Sequence, residues 1–182
     1  MSRLLTLLLC SFSVAVAHAK IEKPVTLEEI AKSQPLIFTA KVSEFLPEKP
    51  GMVFIPGEKL RGEFSFERVP VNLTGDKEAT DEKQPAMLLE RLDKDVTFLV
   101  FASKRGKIYD AIGYTNGTWF RMLGNIELRE GKEVTVWRFT HCEPYFRRTF
   151  KGTTEELQKA IVAGLKGGKL PEYSPKEEPG YG

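Results

Sequence analysis

The segment from Phe139 to Phe150 holds the residue types best suited to chemistry. Its sequence, FTHCEPYFRRTF, places His141 next to Cys142 among aromatic and guanidinium groups. Neighbours in an extended chain point to opposite faces, so this adjacency alone does not give a thiolate a base within hydrogen-bond reach. The simpler interpretation of Cys142 is a half-buried strand residue, because free cysteine is among the most buried residue types. The alternative is a small envelope enzyme or redox protein that uses Cys142 as a reactive thiol with His141.

The aromatic and basic residues of this region predict a binding surface. Tyr145, Arg147 and Arg148 lie within the segment, and Tyr114 and Trp119 flank a hairpin turn upstream. Such side chains stack on sugars or bases, or bind an anion or the acidic face of a partner protein. The alternative is that the aromatic rings are core residues that seal the base of a C-terminal helix. The hairpin is a contact surface only if Tyr114 and Trp119 stay exposed.

The sequence lacks the residues that a zinc site, haem attachment, a phosphate-binding loop or a serine nucleophile would need. Without the leader described next, Cys142 and His141 are the only cysteine and histidine of the chain. One of each cannot give the ligand spacing of a structural zinc site or of haem attachment. The sequence contains no glycine-rich phosphate loop and no serine-nucleophile elbow. We therefore predict no catalytic residue, no metal and no cofactor.

Residues 1–19 are predicted to be a signal peptide. Arg3 precedes an apolar run, and Ala17-His18-Ala19 fits the small-x-small cleavage rule, so the mature chain is expected to begin at Lys20. The run is too short for a membrane-spanning helix, and the cleavage site argues against an uncleaved anchor. A single remaining cysteine is more typical of bacterial envelope proteins than of disulfide-paired animal modules. We expect an exported protein, periplasmic or secreted.

The charge balance is close to neutral. The whole chain has 27 Lys and Arg against 25 Asp and Glu, and the leader removes only Arg3, which leaves a net charge of +1. Dedicated nucleic-acid binders carry a clear basic excess, so that class is disfavoured. The candidate partners are therefore a protein, a glycan or an anionic ligand.

The region from Val96 to Phe139 predicts a meander of antiparallel strands. Runs rich in β-branched and aromatic residues alternate with short turns, and Asn116-Gly117 is the strongest hairpin signal. Capping boxes at Thr26 and Thr153 each predict a helix, the second through about Leu165. The remaining predictions are a strand at 36–45, a loop at 47–62 with a short extended piece, a strand at 63–69, a loop at 74–84 and a short helix at 85–92.

These elements predict a single, mainly β domain over residues 20–168, followed by a disordered, proline-rich tail at 169–182. Strands joined by hairpins favour a small antiparallel, OB-like β-barrel with a C-terminal helix against one side.

A resemblance to a known family supports the same fold. The stretches LIFTAKV from Leu36 and FSFERV from Phe64, with a Leu-rich helix leading into VTFLVFAS from Val96, are similar to the OB-fold of netrin-like and metalloproteinase-inhibitor modules. The resemblance covers about residues 36–165 and implies the fold alone. Members of that family carry paired cysteines, and the inhibitors use an N-terminal cysteine that this chain lacks.

Three functional hypotheses follow from the sequence. The first is an exported, non-catalytic binding or interaction module. The second is the enzyme or redox protein that uses Cys142 and His141. The third is a structural component of the envelope.

Overall fold

The computed structural model describes residues 24–46, 50–93 and 96–180. The predicted signal peptide and Lys20 lie outside the described residues. The strands are β1 (Leu36–Leu46), β2 (Gly51–Arg61), β3 (Val69–Asn72), β4 (Thr97–Arg105), β5 (Ile108–Thr115), β6 (Thr118–Arg129) and β7 (Lys132–Cys142). The α-helices are α1 (Leu27–Ser33), α2 (Lys77–Asp81), α3 (Gln84–Leu89) and α4 (Thr154–Leu165), and a 3₁₀ helix spans Pro144–Arg148.

The seven strands form a closed barrel in the order β1-β2-β3-β7-β6-β5-β4. Every neighbouring pair is antiparallel except β3 and β7, which close the barrel through a short parallel contact at Val71 opposite Trp137. The connection from β3 to β4 contains α2 and α3. The predicted mainly β fold, a barrel with a C-terminal helix, is confirmed.

Apolar side chains cover both faces of several strands. One cluster fills the barrel with residues such as Phe54, Phe98 and Trp137. A second cluster lies between the barrel wall and helices α1 and α4, and it includes Phe101 and Leu157. Because strand neighbours alternate between faces, β4 contributes to both clusters.

The predicted turns and caps of the chain are confirmed. Asn116 and Gly117 have φ angles of 39° and 89°, the two positive values that a type I′ turn requires. Capping boxes at Thr26 and Thr153 begin α1 and α4. Strand β6 runs without a break from Thr118 to Arg129.

The prediction of a loop at 47–62 is correct only for its short extended piece, because Gly51–Arg61 forms the long strand β2. Residues 47–49 lie outside the described residues. The long strand β1 supplies the hydrogen-bonding partners of β2, and irregular register between the two strands accommodates Pro56 and Gly57. The N–H of Glu58 donates to the Thr39 hydroxyl (2.8 Å) at this irregularity.

The predicted strand at 63–69 is also wrong, because β3 begins only at Val69. The rings of Phe64 and Phe66 stack on each other with centroids 4.6 Å apart. Phe64 also contacts Phe38 of the barrel core (4.5 Å between centroids). Burial against the barrel therefore accounts for these apolar residues without a β-ladder.

The predicted loop at 74–84 contains a helix. Asp76 caps α2 by accepting the Ala79 N–H (3.0 Å). No helix within the described ranges is long and apolar enough to cross a membrane.

Candidate functional site

Tyr114 and Trp119, two residues of the predicted contact surface, are buried, with 0% and 1% of their surface exposed. The Tyr114 hydroxyl donates to the Gly152 carbonyl and accepts the Gly117 N–H (3.0 Å). The indole of Trp119 donates to the Phe150 carbonyl (2.8 Å). Their assignment to a contact surface is therefore wrong. Both side chains hold the segment after the 3₁₀ helix against the barrel wall.

Cys142 and His141 point to different environments. The Cys142 side chain is 3% exposed in the barrel core, and burial raises the pKa of its thiol to about 12, helped by the charge of Glu143. His141 is directed to Glu143 instead, with 3.1 Å between its Nε2 and the Glu143 Oε1. A thiol with this pKa is protonated at neutral pH, so the geometry does not support a Cys142 nucleophile.

A β-bulge allows Phe139 and Cys142, three positions apart, both to face the barrel core. Phe120 pairs with Cys142 and Met122 with Phe139, so one residue of β6 faces two residues of β7. The extra residue lets His141 leave the alternating pattern and reach solvent on the outside of the barrel.

The outer surface at the bulge carries a charged network. Arg121 Nε lies 2.7 Å from the Glu143 carboxylate, and its Nη1 lies 3.5 Å from Asp110. Burial alone would raise the pKa of Glu143, but the hydrogen bond from His141 and the Arg121 charge together hold that pKa below its usual range. Glu143 immediately precedes the 3₁₀ helix, so its contacts with Arg121 and His141 hold the start of that helix on the barrel.

The 3₁₀ helix presents the other predicted binding residues. The Phe146 ring packs inward, edge-on to Trp119 with 5.7 Å between centroids. Tyr145 is 59% exposed, and the Arg148 guanidinium lies 5.5 Å from the centre of its ring. Arg147 and Arg148 are both half-buried. We call Tyr145, Arg147, Arg148 and the nearby Lys151 the basic surface.

The end of the chain's own C-terminal segment, residues 174–180 of 169–180, lies on the basic surface. This part of the predicted disordered tail has no helix or strand, but it makes defined backbone contacts. The Ser174 N–H donates to the Arg148 carbonyl (2.7 Å), and the Gly180 N–H donates to the Pro144 carbonyl (3.3 Å). Leu170 packs against the cluster beneath α4.

Glu177 is the centre of this contact. Its carboxylate lies 2.7 Å from Lys151 Nζ and 3.9 Å from Arg147 Nη2. Arg148 Nε donates to the Glu177 backbone carbonyl (3.0 Å). The Glu177 side chain is only 18% exposed. Three cations of the basic surface therefore converge on one residue.

Sequence reasoning named three of the four residues of the basic surface and missed Lys151 and its partner Glu177. Lys151 directly follows the segment from Phe139 to Phe150. Its positive charge was the signal that could have identified it as part of the basic surface. Glu177 lies 29 residues from Arg148 in the sequence, and no pattern connects the two.

A second concave surface lies at one end of the barrel. It has a volume of about 540 Å³ and is lined by residues that include Phe66, Tyr109 and Trp137. Lys104 Nζ lies 5.5 Å from the centre of the Tyr109 ring.

Within the described residues, no group of three or more His, Cys, Asp and Glu is arranged to hold a metal ion. Comparison with known protein families, curated proteins and solved structures finds no match to this chain. The similarity to netrin-like modules stays a prediction.

Proposed function

We propose that this chain is an exported, non-catalytic binding module that recognises an anionic ligand through the basic surface. Tyr145 supplies an exposed ring, and Arg147, Arg148 and Lys151 supply positive charge. Export rests on the predicted signal peptide, and the absence of catalytic residues rests on the sequence argument.

The contact with Glu177 is the observation that carries this proposal. A carboxylate is seated between Lys151 and Arg147, so the basic surface has the geometry to accept one. The rigid base supports such a role, because Phe146 is anchored on Trp119 and the following residues are bonded to Tyr114. Pre-organised donors reduce the entropy lost on binding.

The enzyme or redox alternative receives less support. It needs an accessible thiolate, whereas Cys142 is buried with a raised pKa and His141 is engaged with Glu143.

Binding of fluorescein-labelled hexaglutamate, measured by fluorescence anisotropy, tests the proposal. The protein carries Glu177→Ala so that the chain's own carboxylate does not compete. Adding Arg147→Ala and Arg148→Ala should weaken binding by about five- to tenfold, the range for two partly exposed ion pairs. Affinity should also fall as salt is raised, because screening shortens the range of these charges.

The matched control is Arg105→Ala, which removes an exposed arginine at the end of β4. Circular dichroism establishes that each variant is folded. Equal affinity in the parent and in the Arg147→Ala, Arg148→Ala protein would remove the basic surface from consideration.

A further inference from the structure

We propose that residues 174–180 are an internal placeholder for the partner, and that the partner is an extended, acidic peptide segment that displaces them. This inference rests on the proposed function and names both the ligand class and the regulation of the basic surface.

The backbone contacts of the placeholder indicate a peptide. Two of its N–H groups donate to carbonyls of the 3₁₀ helix, from Ser174 to Arg148 and from Gly180 to Pro144. Arg148 in turn donates to the carbonyl of Glu177. These bonds involve main-chain atoms, so another peptide in the same conformation can make them whatever its side chains. A small inorganic anion would satisfy the cations but would leave the carbonyls of Pro144 and Arg148 without their present donors.

The side-chain contacts of the placeholder indicate an acidic residue. Glu177 is the placeholder side chain that reaches both Lys151 and Arg147, whereas the adjacent Glu178 is exposed. The placeholder, residues 174–180, carries two glutamates against one lysine, and Glu177 faces three cations of the basic surface. Charge complementarity of this kind favours specific recognition.

The placeholder is held weakly enough to be replaced. Lys151 is 57% exposed, so its ion pair with Glu177 is screened by water. The segment has no helix or strand, and Gly167 (φ 88°) and Gly168 separate it from α4. A short tether nevertheless gives the placeholder an effective concentration of about millimolar order, which a partner must exceed. Loosening the placeholder should therefore raise the affinity for a peptide in trans.

The test uses a fluorescein-labelled peptide with the sequence of residues 169–182 and the full-length protein. Fluorescence anisotropy gives its affinity for the unchanged protein, for Glu177→Ala, and for Ser174→Pro combined with Glu177→Ala. The proline removes the N–H that donates to the Arg148 carbonyl. We expect binding to tighten by about twofold in the single variant and about three- to tenfold in the double variant. Glu178→Ala, the same change at the exposed neighbour, should match the unchanged protein.

Two further outcomes separate this inference from the proposed function. If Arg148→Ala and Lys151→Ala abolish peptide binding but the Ser174 and Glu177 variants bind no tighter than the unchanged protein, the placeholder is wrong and the basic surface stands. If peptide binding is absent, or is insensitive to Arg148→Ala and Lys151→Ala, both the inference and the proposed site are wrong.

Discussion

At the residue scale, the environment of each charged or reactive group decides what it can do. Glu177 combines low exposure with two cationic neighbours, which identifies a carboxylate-binding position on the surface. Cys142 has the opposite environment, since it lies among core residues and its backbone N–H donates to the Gln84 side chain (2.7 Å). The sequence from Phe139 to Lys151 therefore contains a buried thiol and the cations that surround Glu177.

The buried state of Cys142 predicts slow thiol chemistry. In a Cys10→Ser protein Cys142 is the only cysteine. Its reaction with Ellman's reagent at about pH 8 should be at least about 100-fold slower than after unfolding in guanidinium chloride, because both the raised pKa and burial suppress the thiolate. Absorbance of the released thionitrobenzoate gives the rate. Native and unfolded protein reacting at similar rates would return Cys142 to consideration as a reactive group.

At the scale of elements, the turn between β5 and β6 is hydrogen-bonded to the first residue of helix α4. The Asn116 side chain accepts the Thr154 N–H (3.1 Å), and the Asn116 N–H donates to the Thr154 hydroxyl (3.1 Å). The turn thus ties the meander to the C-terminal helix, beside the chain that supports the basic surface. Asn116 satisfies two requirements at once, a positive φ and a side-chain acceptor.

Two substitutions separate these requirements. Asn116→Gly keeps the positive φ and loses the acceptor, so it should reduce the free energy of unfolding by about 1 kcal/mol. Asn116→Ala loses the acceptor and also strains the backbone, which should add about 1 kcal/mol or more to the loss. Guanidinium unfolding with an unchanged m-value measures both. The prediction fails if glycine destabilises the protein as much as alanine does.

The elements that sequence predicted correctly are those fixed by local chemistry. The Asn116-Gly117 turn and the Thr153 capping box each depend on a few adjacent residues. Strand β2 was missed because its proline and glycines favour a loop locally, whereas pairing with β1 holds it extended. The apolar Phe64 and Phe66 gave an alternating pattern without being a strand, because they are partly buried by packing against the barrel core.

The candidate site was predictable only in part for a similar reason. Alternation in β5 and β6 assigns Tyr114 and Trp119 to one face, but it does not reveal that helices cover that face. Tyr145, Arg147 and Arg148 were identified because aromatic and guanidinium side chains lie close together in the sequence from Phe139 to Phe150. Their partner Glu177 comes from a distant segment that only the folded chain brings near.

At the scale of the whole molecule, a closed barrel with a second apolar layer supports the basic surface. The barrel interior is filled by side chains, and α1 and α4 cover part of its outer wall. The 3₁₀ helix follows the end of β7 directly. Residues of the C-terminal segment are hydrogen-bonded to this helix. The molecule therefore combines a closed barrel with a C-terminal segment whose Glu177 lies against the basic surface.

The most direct test of this account is a two-dimensional ¹H–¹⁵N NMR titration of the labelled full-length protein. The unlabelled partner is the peptide with the sequence of residues 169–182. The account predicts that the amide signals of Tyr145, Arg148 and Lys151 shift with the added peptide, while those of Ser174, Glu177 and Gly180 move towards random-coil positions. Shifts confined to the barrel end at Tyr109 and Trp137, or unchanged signals from residues 174–180 when the basic surface is saturated, would contradict it.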